Sequence, residues 1–143
     1  MVNDYSAASL AEMRSVAQSI MAQISAPLTI GLSGPLGAGK TTFVKFLVKA
    51  FGGDEKEVSS PTFVLQQRYQ TPSLLIDHWD LYRIDRVPDE LREANDLGMV
   101  RLIEWGEKLL SFPTELDIVI DIDFAPELGP EGRRVQIKGL EGG

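Results

Sequence analysis

The segment Gly34-Pro35-Leu36-Gly37-Ala38-Gly39-Lys40-Thr41 matches the pattern G-x-x-x-x-G-K-[ST], which restricts the fold more than any other feature of the chain. The glycines let the backbone wrap closely around an anion, and the loop N–H groups then point inward at it. Such a loop must leave a strand and enter a helix, whose positive dipole end meets the same anion. Both neighbours read that way. Pro27 to Ser33 is a short apolar, β-branched run that fits a buried strand. Thr42 to Phe51 places Phe43, Phe46, Leu47, Ala50 and Phe51 on one helical face, and Gly52-Gly53 ends it. The lysine is positioned to reach the outer phosphates of a nucleotide and the Thr41 hydroxyl to hold Mg²⁺. A bare glycine turn needs neither.

Composition narrows the setting. The 143 residues fit one domain spanning 1–143, with 1–5 and 139–143 expected to fray. No cysteine is present, which excludes disulfides and thiolate metal sites and fits a reducing compartment. No apolar run approaches the ~20 residues of a membrane span. With Asp4 near the start and no basic leader, the expectation is a cytoplasmic protein without membrane attachment. The net charge of −7 disfavours strong unaided binding to nucleic acid, where Lys and Arg neutralise phosphates.

The rest of the chain alternates helical and strand patterns. Ser6 to Ile24 carries Leu10, Met13, Ala17, Ile20, Met21 and Ile24 at helical spacing. Phe63–Tyr69 and Leu74–Asp80, joined by Gln70-Thr71-Pro72-Ser73, read as an antiparallel hairpin. Pro88 to Glu93 reads as a helix start, Val100 to Trp105 and Asp117 to Phe124 as strands, and Arg134 to Ile137 as a last edge strand. The fold expected is α/β, a P-loop NTPase-like three-layer sandwich whose mixed, mainly parallel sheet contains an antiparallel hairpin. The ligand then belongs at the carboxyl ends of the parallel strands.

A phosphate loop needs a carboxylate to complete Mg²⁺ coordination. Asp80 closes the Leu74–Trp79 strand; Asp77, three residues earlier, faces the other way. His78 reads as a packed strand histidine, with a supporting role beside the phosphate site as the alternative. Glu104 ends the apolar Arg101-Leu102-Ile103 run before Trp105, so it can position water, or be a solvated carboxylate. Thr62, in Ser60-Pro61-Thr62, is either a γ-phosphate sensor or an ordinary turn residue. There is no Asn-Lys-x-Asp guanine motif and no arginine-rich lid, which disfavours a GTPase and a small-molecule kinase.

Gly34–Thr42, Ser60-Pro61-Thr62-Phe63, His78-Trp79-Asp80-Leu81-Tyr82-Arg83 and Ile103-Glu104-Trp105 occur in that order. Together they resemble the TsaE (YjeE) family, the ATPase component of bacterial tRNA threonylcarbamoyladenosine biosynthesis, over roughly residues 6 to 124. The resemblance implies a subunit that binds ATP or ADP with Mg²⁺ and works with the TsaB–TsaD heterodimer, tRNA being reached through that complex. It implies nucleotide contacts from Pro35, Leu36, Gly37, Ala38, Gly39, Lys40, Thr41, Thr42 and Trp105. Glu104, Lys40 and Thr62 are the implied catalytic set, and Thr41, Asp80 and Glu104 the metal set. Three features depart from the pattern: a shortened 93–100 stretch, Gly106 in place of proline, and Trp79 in place of phenylalanine. A small-molecule kinase and a non-hydrolytic nucleotide switch are the alternatives.

Overall fold

The computed structural model describes residues 2–25, 27–35, 37–58, 66–72, 74–81, 88–92, 98–104 and 116–139. Its elements are β1 (Val2–Ala7), α1 (Leu10–Met21), β2 (Leu28–Ser33), α2 (Lys40–Ala50), β3 (Gln66–Gln70), β4 (Leu75–Asp80), β5 (Val100–Glu104), β6 (Ile118–Phe124) and β7 (Arg133–Lys138). The strands form one seven-stranded sheet in the order β1-β7-β6-β2-β5-β4-β3. β2 is central and runs parallel to both β5 and β6, and β5 runs parallel to β4. Antiparallel pairs close the sheet on each side: β3 on β4, and β7 between β6 and β1. The mixed, mainly parallel sheet with its hairpin is therefore as expected.

Alternation along the strands sorts two faces. Ile30, Leu32, Ile76, Val100, Leu102, Ile118, Ile120, Ile122, Val135 and Ile137 share one core with α1 and α2. Each fully buried side chain there, Phe43 and Leu47 among them, contributes about 1.5–3 kcal/mol. The opposite face carries a smaller cluster of Trp79, Leu81, Leu91 and Ile103, in which Leu91 comes from the short 3₁₀ turn Asp89–Arg92. That turn is what forms where a helix start at Pro88 is expected.

Four expectations change. Residues 2–5 do not fray: β1 pairs with β7 from Val2↔Lys138 to Ala7↔Arg133. Its ladder bonds and the burial of Ala7 hold a segment whose few apolar residues give little strand signal. For the same reason β7 is not an edge strand. The first helix starts four residues later than Ser6, at Leu10, and ends at Met21. Ser9 Oγ accepts from the Glu12 N–H at 3.2 Å, and Glu12 Oε2 accepts from the Ala8 N–H at 2.8 Å, a capping box that sets the start. Leu10 falls outside the buried stripe and is exposed, while Val16 joins it. At the C-terminus, 140–143 lie outside the described residues.

Parallel pairing has one consequence for the site. The C-terminal ends of β2, β4, β5 and β6 all emerge on the same edge of the sheet, beside the loop that follows β2.

Candidate phosphate-binding site

The loop after β2 takes its shape from its glycines. Gly34, Gly37 and Gly39 have φ of 138°, 83° and 104°, a region that side-chain-bearing residues rarely adopt. At Gly34 space is also decisive, because a Cβ there would lie 2.0 Å from the Ile122 carbonyl oxygen. The loop is thereby seated against β6. Gly39 caps α2 in the left-handed conformation, with no side-chain hydrogen bond at the cap and no acidic residue in the first turn. The positive end of the helix dipole at such a terminus favours an anion. Pro35 and Gly37 are exposed, Thr41 and Thr42 half-buried, and Ala38 is buried.

Lys40 opens α2 and is buried, yet its Nζ donates to the Gly34 oxygen at 2.7 Å and the Pro35 oxygen at 3.2 Å. Its ammonium thus stands within the loop. Thr41 Oγ1 reaches Glu104 at the end of β5, 3.2 Å from Oε1 and 3.3 Å from Oε2. Residues separated by 63 positions meet because β2 and β5 are neighbours with Leu32 opposite Glu104. On the other side of β5, Asp80 is the register partner of Glu104, so both carboxylates sit on the helix-facing side at adjacent strand ends. A hydroxyl with two hard carboxylates suits Mg²⁺, which retains waters and phosphate oxygens rather than filling its shell from protein. The described residues contain no cluster of three or more His, Cys, Asp or Glu able to hold a metal ion.

Glu104 is itself buried and held from behind. His78 Nε2 lies 2.6 Å from Glu104 Oε2, and His78 Nδ1 lies 2.9 Å from the Tyr69 hydroxyl. Tyr69 also contacts Gln67 Oε1. Burial, and then the negative charges of Glu104 and Glu57, push the Tyr69 phenol above its ordinary range. The phenol therefore stays protonated, and a polar chain runs from Thr41 through Glu104, His78 and Tyr69 to Gln67 on the sheet's outer strand. His78 is the packed strand histidine of the sequence reading and also the support of Glu104. Its period-two relation to Asp80 was the signal for that second role.

Asp77 is on the opposite face, as its spacing requires. It is fully buried, accepts from Trp79 Nε1 at 2.8 Å and pairs with Arg101 Nε at 3.2 Å. This is a structural ion pair rather than a metal position. Arg133, at the start of β7, donates from Nε to the Ala38 oxygen at 2.8 Å. Leu36, Thr62, Arg83 and Trp105 lie outside the described residues, so no contact is assigned to them.

A mainly parallel sheet, a glycine loop built around a lysine, and a helix N-terminus facing strand-end carboxylates define the P-loop class of nucleotide-binding α/β proteins. Within that class the chain belongs to the TsaE family: the family model described as threonylcarbamoyl adenosine biosynthesis protein TsaE matches residues 7–134. Its relatives include proteins named tRNA threonylcarbamoyladenosine biosynthesis protein TsaE. The Rickettsia felis protein is 39% identical over 97 residues, covering 64% of this chain and 56% of its own length. The Aquifex aeolicus protein is 41% identical over 100 residues, covering 68% of this chain and 69% of its own. The chain thus spans little more than half the length of the first of these. The crystal structure of Bacillus subtilis YdiB superposes with a TM-score of 0.75 over 99% of this chain and 87% of that one; at 24% identity it speaks for the fold.

Proposed function

We propose that the protein is a Mg²⁺-dependent ATP-binding and hydrolysing subunit required for tRNA N6-threonylcarbamoyladenosine modification at position 37, acting with TsaB and TsaD. The observation that carries this reading is the contact between Thr41 and Glu104, which joins a phosphate loop to a buried carboxylate. Backbone N–H groups at the start of α2 and the Lys40 ammonium would hold the phosphates. The Thr41 hydroxyl and the Asp80 and Glu104 carboxylates would hold Mg²⁺, which would supply positive charge to offset that of the phosphates. Glu104 orients the attacking water, and His78 keeps its carboxylate in one setting. Thr62 and Trp105 are assigned to phosphate sensing and nucleotide contact through the family motif alone.

No arginine among the described residues contacts the Thr41–Glu104 site, so slow turnover by the isolated subunit is expected, with partner proteins raising it. An arginine supplied in trans is worth about 10³–10⁵-fold in comparable enzymes. With a chain charge of −7, contact with tRNA is left to the partners, and the reaction belongs in the cytoplasm. Among the described residues no helix is long and apolar enough to cross a membrane. The test is phosphate release from ATP by the chain alone and then with TsaB, TsaD and tRNA, alongside formation of the modified nucleoside. Slow release that rises with partners and accompanies modification is expected. Phosphate recovered on a small metabolite would replace this reading with a kinase. Modification over many cycles by a Glu104→Ala protein would replace it with a non-hydrolytic switch.

A further inference from the structure

The helix-facing row of β6 runs from buried core out to solvent beside the phosphate loop. Ile118, Ile120 and Ile122 are buried; Phe124 shares their face but is 45% exposed. An exposed phenyl ring is ordinary by itself, so what matters is whether its surroundings supply a role. Its surroundings give one. A Cβ at Gly37 would lie 3.9 Å from the ring's Cζ, so the ring stands at the wall of the loop. The Arg133 guanidinium lies 4.8 Å from the ring centroid, on the strand directly opposite. Arg133 is itself fixed by the Ala38 oxygen at 2.8 Å and the Gly132 oxygen at 2.8 Å. Ring, guanidinium and loop are therefore one connected surface.

We propose that Phe124, braced by Arg133, is the stacking platform for the base of the nucleotide whose phosphates enter the loop. This rests on the nucleotide reading above and extends it to a subsite. The occupant is a flat π-system tethered to phosphate, because the exposed ring continues directly from Gly37 and Ala38. The chain has no Asn-Lys-x-Asp segment to read a base edge. Stacking holds a base by its face, so affinity comes without edge recognition, and this platform would not distinguish adenine from guanine. The Arg133 cation adds attraction to the ring system.

The test is calorimetric titration of the full chain, in Mg²⁺, with ATP and with inorganic tripolyphosphate. Phe124→Ala should weaken ATP about tenfold, the scale of one lost base–aromatic stack, and leave tripolyphosphate affinity unchanged. Phe124→Tyr should retain ATP affinity. Unchanged tripolyphosphate binding also shows that the variant is folded with its loop intact. Equal loss of both ligands, or no loss of ATP, overturns the platform while leaving the nucleotide reading standing. An unsubstituted chain that binds neither ligand overturns both.

Discussion

His78→Leu tests whether the buried carboxylate of the site depends on the histidine behind it. The imidazole is 1% exposed and makes two contacts, to Glu104 Oε2 at 2.6 Å and to the Tyr69 hydroxyl at 2.9 Å. Leucine fills a similar volume but can make neither. A hydrogen bond to a charged group is worth about 1.5–3 kcal/mol and a neutral one about 0.5–1.5, so the combined loss is about 2–4.5 kcal/mol. Against a total stability of about 5–15 kcal/mol this is large. It corresponds to a fall in Tm of about 2–4 °C per kcal/mol for a chain of this size. Urea unfolding followed by circular dichroism reads the change directly. Phosphate release should fall as well, because Glu104 loses the contact that fixes its orientation toward water. A double-mutant cycle with Glu104→Leu should show coupling, since each substitution removes the same contact. A stability loss under about 1 kcal/mol, or additive effects in the cycle, would refute the claim that the two side chains act together.

Four further outcomes are expected. Glu104→Gln should retain ATP binding in calorimetry but slow phosphate release by about 10²–10⁴-fold, the usual contribution of a positioned acid or base; an unchanged rate removes Glu104 from catalysis. Gly34→Ala, with its new Cβ 2.0 Å from the Ile122 oxygen, should force the loop off β6 and abolish nucleotide binding, as fluorescence titration would detect. Asp77→Ala leaves the Arg101 guanidinium, 7% exposed, without its counter-charge, at a cost of about 3–5 kcal/mol in urea unfolding. ATP affinity of the folded fraction should not change, because the pair is on the face away from the loop. Finally, the fold holds the Tyr69 proton more tightly than the unfolded chain does. Above about pH 10 the unfolded state therefore binds fewer protons, and stability should fall by up to about 1.4 kcal/mol per pH unit through this group. Tyr69→Phe should show a shallower decline, and identical slopes would count against the buried phenol.

How much of this is legible before folding depends on whether the signal is local. The phosphate loop is a contiguous pattern, and its strand and helix are short periodic runs, so β2, the loop and α2 read correctly from residues 27–51. The hairpin of β3 and β4 is local too, and the opposite orientation of Asp77 and Asp80 follows from the pleat. Local signals failed where long-range pairing supplies the stability. The residues Val2–Ala7 carry few apolar side chains, and only β7 makes them a strand. The Ser9–Glu12 capping box was present in the sequence and marked the true start of α1, but the apolar stripe drew the boundary outward.

The same division governs the site. By itself the sequence determined a phosphate loop, the lysine and threonine that go with it, and a small set of strand-end carboxylates, because backbone requirements of such a loop are written in adjacent residues. Only the tertiary structure decided which carboxylate meets Thr41, since that depends on β5 lying next to β2 in one register. It also joined Glu104 to His78 and Tyr69, and brought Phe124 and Arg133 to the rim of the loop. Those pairs lie far apart along the chain. Their meeting is set by strand order, which comes from how the two faces of the whole sheet are buried and not from any single segment.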